Sequence, residues 1–287
     1  MQGFVQALAL FPPETATVLR AAAASRNGKV NEIRLTLGGH AVLVFGDKNV
    51  VTDALCDEAL LQTVLLALCG GSLYAHGDTI REGFVYSDAG LRAGVCGHAI
   101  LENGKVRRVF PITSISIRIP ARFPGVYDVL LPEIVSDGVP RSALIWSPPG
   151  VGKTSALREL ALALSSVPYR FRCALIDTRY ELASGLSSDL LYVYSGYPRA
   201  CGMETAIRTM APQIVICDEI AGEEDASAVL ECALSGAAVL ASAHASSAEA
   251  LAKRPALQKL WKARVFSLWI GLERTAAGIR FHCMERG

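Results

Sequence analysis

The stretch Ala143 to Ser155, ALIWSPPGVGKTS, decides how the chain reads. Its first four residues are apolar and strand-like. A tight turn follows, Ser147-Pro148-Pro149-Gly150-Val151-Gly152, and Lys153-Thr154-Ser155 then opens a helical pattern from Ala156 to Leu164. Strand, glycine loop, Lys-Thr and helix in that order build a phosphate loop. Successive backbone N–H groups curl round an anion, and the helix N-terminus adds its partial positive charge. In such a loop the Lys reaches the β/γ-phosphates and the Thr hydroxyl goes to Mg²⁺. The pattern G-x-x-x-x-G-K-[ST] is met from Gly152 onward, with Ser147 at its first position, where a small residue suffices. The expected nucleotide contacts are therefore Ser147, Pro148, Pro149, Gly150, Val151, Gly152, Lys153, Thr154 and Ser155. Lys153 also acts on the transferred phosphate, and Thr154 is a metal ligand.

Working outward, the next signal is Gln213-Ile214-Val215-Ile216-Cys217-Asp218-Glu219, 65 residues from Lys153 to Asp218. Four apolar residues make a buried strand that delivers two carboxylates to the edge where the phosphate loop sits. Asp218 is the expected Mg²⁺ ligand, directly or through water, and Glu219 the group that polarises the attacking water. A Glu after the metal carboxylate favours hydrolysis, and the absence of an N-K-x-D element favours ATP over GTP. Asp177-Thr178-Arg179-Tyr180-Glu181 ends a neighbouring strand, which makes Asp177 and Glu181 candidates near the γ-phosphate or the metal; a solvated turn is the alternative. His244 closes the strand Val239 to Ser242 among small residues, and a polar group there can sense the γ-phosphate. Arg208 precedes the Asp218 strand, while Arg92, Arg118 and Arg122 fall at the edge of the first domain. Any of these arginines could stabilise charge on the γ-phosphate from a neighbouring domain or subunit, or form an ordinary surface pair.

The chain around these motifs divides by grammar. Residues 1–125 read as an α+β domain with an antiparallel sheet. They hold helices near Val5–Leu10 and Glu14–Ala24, strands around Gly38-Gly39, and a long helix capped by Thr52 or Asp53 and ending at Cys69. Further strands follow, among them a hairpin at Asn103-Gly104. Pro120 to Gly125 reads as a linker. Residues 126–287 alternate strand and helix, which implies a mostly parallel sheet with ligand at its carboxyl edge. At 287 residues the chain can hold one large domain or two ordinary ones, and with 51% hydrophobic and 19% charged residues it can bury a sizeable core. A net charge of +1 argues against wholesale binding to nucleic acid or anionic membrane. The eight cysteines are scattered without metal or disulfide spacing, as in a cytoplasmic protein with buried thiols. No apolar run approaches the ~18 residues of a membrane span, and the N-terminus lacks a signal-peptide pattern.

Taken together, these pieces resemble the stage III sporulation protein AA family, a branch of the secretion-type ATPases of type II and type IV systems. Besides the motifs above, the resemblance runs through Glu32-Ile33-Arg34-Leu35, Ser72-Leu73-Tyr74-Ala75, Ile80-Arg81-Glu82-Gly83, Leu91 to Gly97, Ser114 to Ile119 and Glu224 to His244. It implies a RecA-like P-loop core behind an α+β domain. It also implies Mg²⁺-dependent ATP hydrolysis, with Ser147–Thr154 as Walker A, Asp218-Glu219 as Walker B, Asp177–Glu181 as the acidic box and His244 as the histidine box. A ring homo-oligomer, a hexamer, is implied as well. So is a mother-cell cytoplasmic location, with peripheral docking on the cytoplasmic segment of a membrane protein in a mother cell–forespore channel. Thr178 departs from the family's usual Asp-Glu-Arg. Two other readings compete: a nucleic-acid-dependent ATPase, disfavoured by 7% aromatics and the near-zero charge, and a nucleotide-gated adaptor with little turnover.

Overall fold

The computed structural model describes residues 2–87, 90–120, 122–276 and 278–285. Asp88-Ala89-Gly90 has the residue types of a turn, and its first two residues lie outside that set. The chain divides into two compact units, residues 1–121 and 122–287. Arg122, expected at the edge of the first domain, therefore belongs to the second unit.

The first unit is built on a six-stranded antiparallel sheet of order β3-β2-β1-β6-β5-β4. Its strands are β1 (Glu32–Thr36), β2 (His40–Phe45), β3 (Lys48–Leu55), β4 (Phe84–Tyr86), β5 (Arg92–Glu102) and β6 (Lys105–Arg118). Its helices are α1 (Gln2–Leu8), α2 (Pro13–Ala24), α3 (Glu58–Leu68) and α4 (Gly77–Arg81). Period-two alternation sends Ile33, Leu35, Ala41, Leu43, Ile115 and Ile117 into one core, where Leu19 of α2 and Leu61, Val64 and Leu68 of α3 join them. The Asn103-Gly104 hairpin forms as expected, both residues at positive φ (52° and 73°), the geometry of a two-residue type I′ turn.

The long helix with Thr52 or Asp53 as cap is not what forms. Residues 48–55 make β3 instead: Thr52 and Ala54 are buried while Val51 and Leu55 are more than half exposed, a two-residue rhythm. The cap is Asp57, whose side chain accepts from Leu60 N at 2.8 Å.

The second unit has a seven-stranded sheet of order β11-β10-β12-β13-β9-β14-β15, parallel except for the last pair. After the short α5 (Leu131–Ile134) and a small hairpin, β7 (Val135–Ser136) and β8 (Val139–Pro140), the chain enters β9 (Ala143–Ser147) and α6 (Lys153–Ser165). Then come β10 (Cys173–Asp177), β11 (Leu191–Ser195), α7 (Arg199–Met210), β12 (Ile214–Glu219), α8 (Glu223–Leu234) and β13 (Ala238–His244). The unit ends with α9 (Ala248–Ala252), α10 (Pro255–Lys262), β14 (Leu268–Thr275) and β15 (Gly278–Glu285).

Both faces of the sheet's centre are covered, so β9, β10, β12 and β13 are apolar without alternation. Leu157, Leu160 and Leu164 of α6 pack on Ile145, Leu175, Ile216 and Leu240. On the other face Met203 of α7, Val229 of α8 and Leu257 and Leu260 of α10 pack on Val215 and Val239. Parallel pairing brings the carboxyl ends of β9, β10, β12 and β13 to one edge. Ser147, Asp177, Glu219 and His244 close those four strands.

Candidate functional site

The loop between β9 and α6 is shaped to hold an anion. Gly150 and Gly152 take φ of 76° and 131°, which only glycine adopts without strain. A Cβ on Gly152 would also lie 2.7 Å from the Tyr127 hydroxyl. The first helical hydrogen bond runs from Ala156 N to Gly152 O at 2.8 Å. Among the described residues, the backbone N–H groups of Gly150 to Ser155 find no protein acceptor. Two side chains hold the loop's carbonyls: Arg274 Nη2 donates to Gly150 O at 3.1 Å and Tyr127 Oη to Gly152 O at 3.2 Å. An unpaired row of donors at the N-terminus of a thirteen-residue helix has the form of a phosphate cradle.

Lys153 stands in that cradle, 5% exposed. Its Nζ donates to Ser147 O (3.1 Å), Ser147 Oγ (3.3 Å), Pro148 O (3.2 Å) and His244 Nδ1 (2.9 Å). Burial pulls its pKa down, and the Glu219 carboxylate opposes that pull. Because the ammonium has only protons to offer, His244 Nδ1 accepts, and the neutral ring carries its proton on Nε2. That Nε2 lies 3.5 Å from Glu219 Oε2. The three residues expected at the reacting phosphate thus form one contiguous set, ammonium to imidazole to carboxylate.

Asp177 behaves differently from a metal or water ligand. It is fully buried, and its two oxygens accept backbone N–H groups from Glu181 (2.8 Å), Leu182 (3.1 Å) and Ala183 (2.8 Å). Burial raises its pKa, with the three N–H groups working against the rise. The carboxylate thus organises the loop that follows β10. Arg158 of α6 grips the same loop, Nη1 on Glu181 O at 2.9 Å and Nη2 on Ser184 O. Glu181 itself is exposed, and it is its backbone that these two residues hold. Thr178 Oγ1 is buried with no hydrogen-bond partner.

Asp218 is engaged by a residue that sequence reasoning missed. Arg199, the first residue of α7, donates from Nε (3.1 Å) and Nη2 (2.7 Å) to Asp218 Oδ1, and from Nη1 (2.7 Å) to Asp225 Oδ2. A second, Arg254, donates to His244 O (3.1 Å) and Ile220 O (2.9 Å), joining the loops after β13 and β12. Arg158, Arg199 and Arg254 act on groups 10 to 34 positions distant in sequence; only Pro198, preset for a helix start, marks Arg199 beforehand. Tyr127 and Arg274 carried no signal at all.

The expected arginines of the second unit, Arg208 and Arg122, do not gather here. Arg208 lies near the C-terminal end of α7, 70% exposed and 3.5 Å from Glu204, at the opposite edge of the sheet from its helix-mate Arg199. Arg118 ends β6 in the first unit, opposite Glu32. Arg92 sits over the rings of Phe84 and Tyr86 in that unit. Arg122 makes a two-pronged pair with Glu159, Nε–Oε1 2.7 Å and Nη2–Oε2 2.9 Å, and the Phe123 N–H adds a third bond.

A seven-stranded sheet covered on both faces of its centre, with a phosphate cradle beside β13 and β12 carboxyl ends, is the RecA-like P-loop fold of the secretion-type ATPases. The pilus retraction motor PilT, solved with ADP bound, superposes with a TM-score of 0.63 at 14% identity, covering 94% of this chain and 82% of that one. The ATPase DotB of Legionella pneumophila gives 0.58 at 15% identity, covering 93% and 78%. Sequence then narrows the class: the profile of the family "Sporulation stage III, protein AA" matches residues 15–282. Stage III sporulation protein AA of Bacillus subtilis (strain 168) is 32% identical over 257 residues, 86% of this chain and 83% of that protein. The chain belongs to the stage III sporulation protein AA family. Among the described residues, no helix is long and apolar enough to cross a membrane.

Proposed function

We propose that this chain is an ATP-hydrolysing motor that powers or assembles a sporulation membrane complex. The observation that carries the reading is the Lys153–His244–Glu219 set lying against the unpaired N–H groups of Gly150 to Ser155. The triphosphate seats on those N–H groups. Lys153 leaves His244 for the β/γ-phosphates, where a buried ammonium is worth more than one in water. Glu219 takes a proton from the attacking water, whose oxygen bonds to the γ-phosphorus as the bond to the β-phosphate oxygen breaks; ADP leaves with that electron pair. His244, freed at Nδ1, reports whether the γ-phosphate is in place.

The residues fit a Mg²⁺ ion. Neither the Thr154 hydroxyl nor Asp218 Oδ2 has a protein partner among the described residues, and a hydroxyl with a carboxylate oxygen is a hard-cation donor set. When bound, Mg²⁺ neutralises charge on the phosphates. Relatives of this fold and family motivate the remaining parts of the reading. These are a ring homo-oligomer, six copies by that analogy, and docking on the cytoplasmic segment of a membrane partner in the mother cell. In such a ring Arg208, exposed near the C-terminal end of α7, would have to act from a neighbouring copy.

Phosphate release under Mg²⁺–ATP tests the enzymatic claim. Glu219→Gln should lose at least ~100-fold, the usual worth of a positioned base. Equal background rates in wild type and variant would withdraw the claim and leave a nucleotide-gated adaptor, the reading that Thr178 favours. Its buried hydroxyl stands, unpartnered, where the family has a carboxylate.

A further inference from the structure

We infer that Arg199 is the positioning residue of the metal carboxylate; this rests on the reading of Asp218 as the Mg²⁺ ligand. The fork of the guanidinium is spent on two acids from two elements. Nε and Nη2 converge on a single oxygen, Asp218 Oδ1, at 3.1 and 2.7 Å, while Nη1 reaches Asp225 Oδ2 at 2.7 Å. Two donors on one oxygen fix the carboxylate's rotation and leave Oδ2 as the oxygen to offer. Asp225 Oδ2 also accepts the N–H groups of Ala221 (2.9 Å) and Gly222 (3.4 Å), in the loop directly after Glu219. The guanidinium therefore ties the metal carboxylate, the segment after the water-activating Glu219 and the first turn of α8 into one frame.

Solvent has a small share in this arrangement. The Arg199 side chain is 9% exposed, and both carboxylates are 14% exposed. A charge so placed binds its partners more firmly than a surface pair does, and its geometry is set by the fork. Pro198, at φ −53°, presets the first turn of α7 so that Arg199 leaves the helix at the carboxyl edge of the sheet. A lysine there would keep the charge, but its single ammonium cannot reproduce a planar fork on two acids. Charge and geometry can thus be separated by substitution.

The test is Mn²⁺ binding to the full chain with ADP present, followed by the paramagnetic signal of free Mn²⁺, with no turnover involved. Arg199→Lys should weaken Mn²⁺ by about tenfold, leave ADP affinity in EDTA unchanged and move the thermal midpoint little. Asp225→Asn keeps the backbone acceptor but cuts the outer anchor. It should weaken Mn²⁺ about threefold in wild type and add nothing in the Arg199→Lys background. Unchanged or tighter Mn²⁺ binding in Arg199→Lys overturns the proposal, as does additivity of the two variants. Failure of the wild type to bind Mn²⁺ with ADP would instead remove Asp218 as the metal ligand and the proposal with it. Loss of ADP affinity in EDTA would mark Arg199 as a general support of the fold and would equally overturn it.

Discussion

Lys153→Met should leave the folded chain almost as stable as before while abolishing its response to nucleotide. The ammonium is 5% exposed, forms no ion pair within reach among the described residues, and is held by neutral acceptors. Each hydrogen bond to a charged group contributes about 1.5–3 kcal/mol, but taking the charge out of water costs several kcal/mol in the opposite sense. What is left behind when the charge goes is well provided for. Ser147 O still accepts from Ala245 N at 3.2 Å, Pro148 O from Ser147 Oγ at 2.9 Å, and His244, 40% exposed, can turn to water. Methionine refills most of the volume. The gains and losses nearly cancel, so the change in stability should stay within about 1 kcal/mol, or roughly 2–4 °C in melting temperature. In wild type, ATP or ADP at a hundred times its Kd should add about 2.7 kcal/mol, roughly 5–11 °C. In Lys153→Met that shift should fall below about 2 °C. Thermal denaturation with and without nucleotide decides the matter. A variant that loses more than about 3 kcal/mol without ligand, or that keeps the nucleotide shift, refutes the placement of Lys153 as a buried charge held in reserve for phosphate.

Two further outcomes follow from the same physical terms. Burial works to raise the pKa of Glu159, but the Arg122 fork and the Phe123 N–H outweigh it and hold the carboxyl below its ordinary 4.5. The pair's contribution is then fully present above that value and disappears as pH falls through the lower folded value. In urea titrations Glu159→Gln should cost about 2–3 kcal/mol at pH 7, less than a fully buried pair because Arg122 is a quarter exposed, and the gap to wild type should narrow as pH falls below 4.5. Gly152→Ala should cost about 1–3 kcal/mol for its φ of 131°, and more for the Cβ placed 2.7 Å from the Tyr127 hydroxyl. Tyr127→Phe should recover the second part only, so a double-mutant cycle read by thermal denaturation should be non-additive, and strict additivity would contradict the packing at the loop.

What could be read ahead of the structure was what is contiguous in the chain. The cradle is legible because strand, loop and helix follow one another from Ala143 to Ser165, and the loop's chemistry is carried by its own backbone. Asp218, Glu219 and His244 are legible because buried parallel strands must end at a common edge. The helix expected from Thr52 failed because Thr and Asp at the head of an apolar stretch read as a cap; the alternation of Val51, Thr52, Asp53, Ala54 and Leu55 was the competing period, and burial of Thr52 and Ala54 decided it. Asp177 shows a deeper limit. A carboxylate at a strand end can face a ligand or turn back on its own loop, and only full burial with three backbone N–H partners separates the two. Of the arginines that frame the site, Arg199 is marked only by Pro198 before it, and Arg158 and Arg254 differ from surface cations only in what lies opposite them after folding.

Thr178 takes its meaning from this frame. Asp177 and Arg158 hold residues 181–184 through backbone groups alone, so that loop keeps its shape whatever side chain stands at 178. A missing carboxylate at 178 then removes a polar contact without removing the scaffold. On the proposed reading, the work of orienting water falls to Glu219, backed by His244 Nε2 at 3.5 Å, and the metal carboxylate beside it depends on Arg199 rather than on the segment after β10. A carboxylate restored by Thr178→Glu should therefore raise phosphate release without altering Mn²⁺ affinity; a change in metal binding would instead show that the two loops share one ligand set.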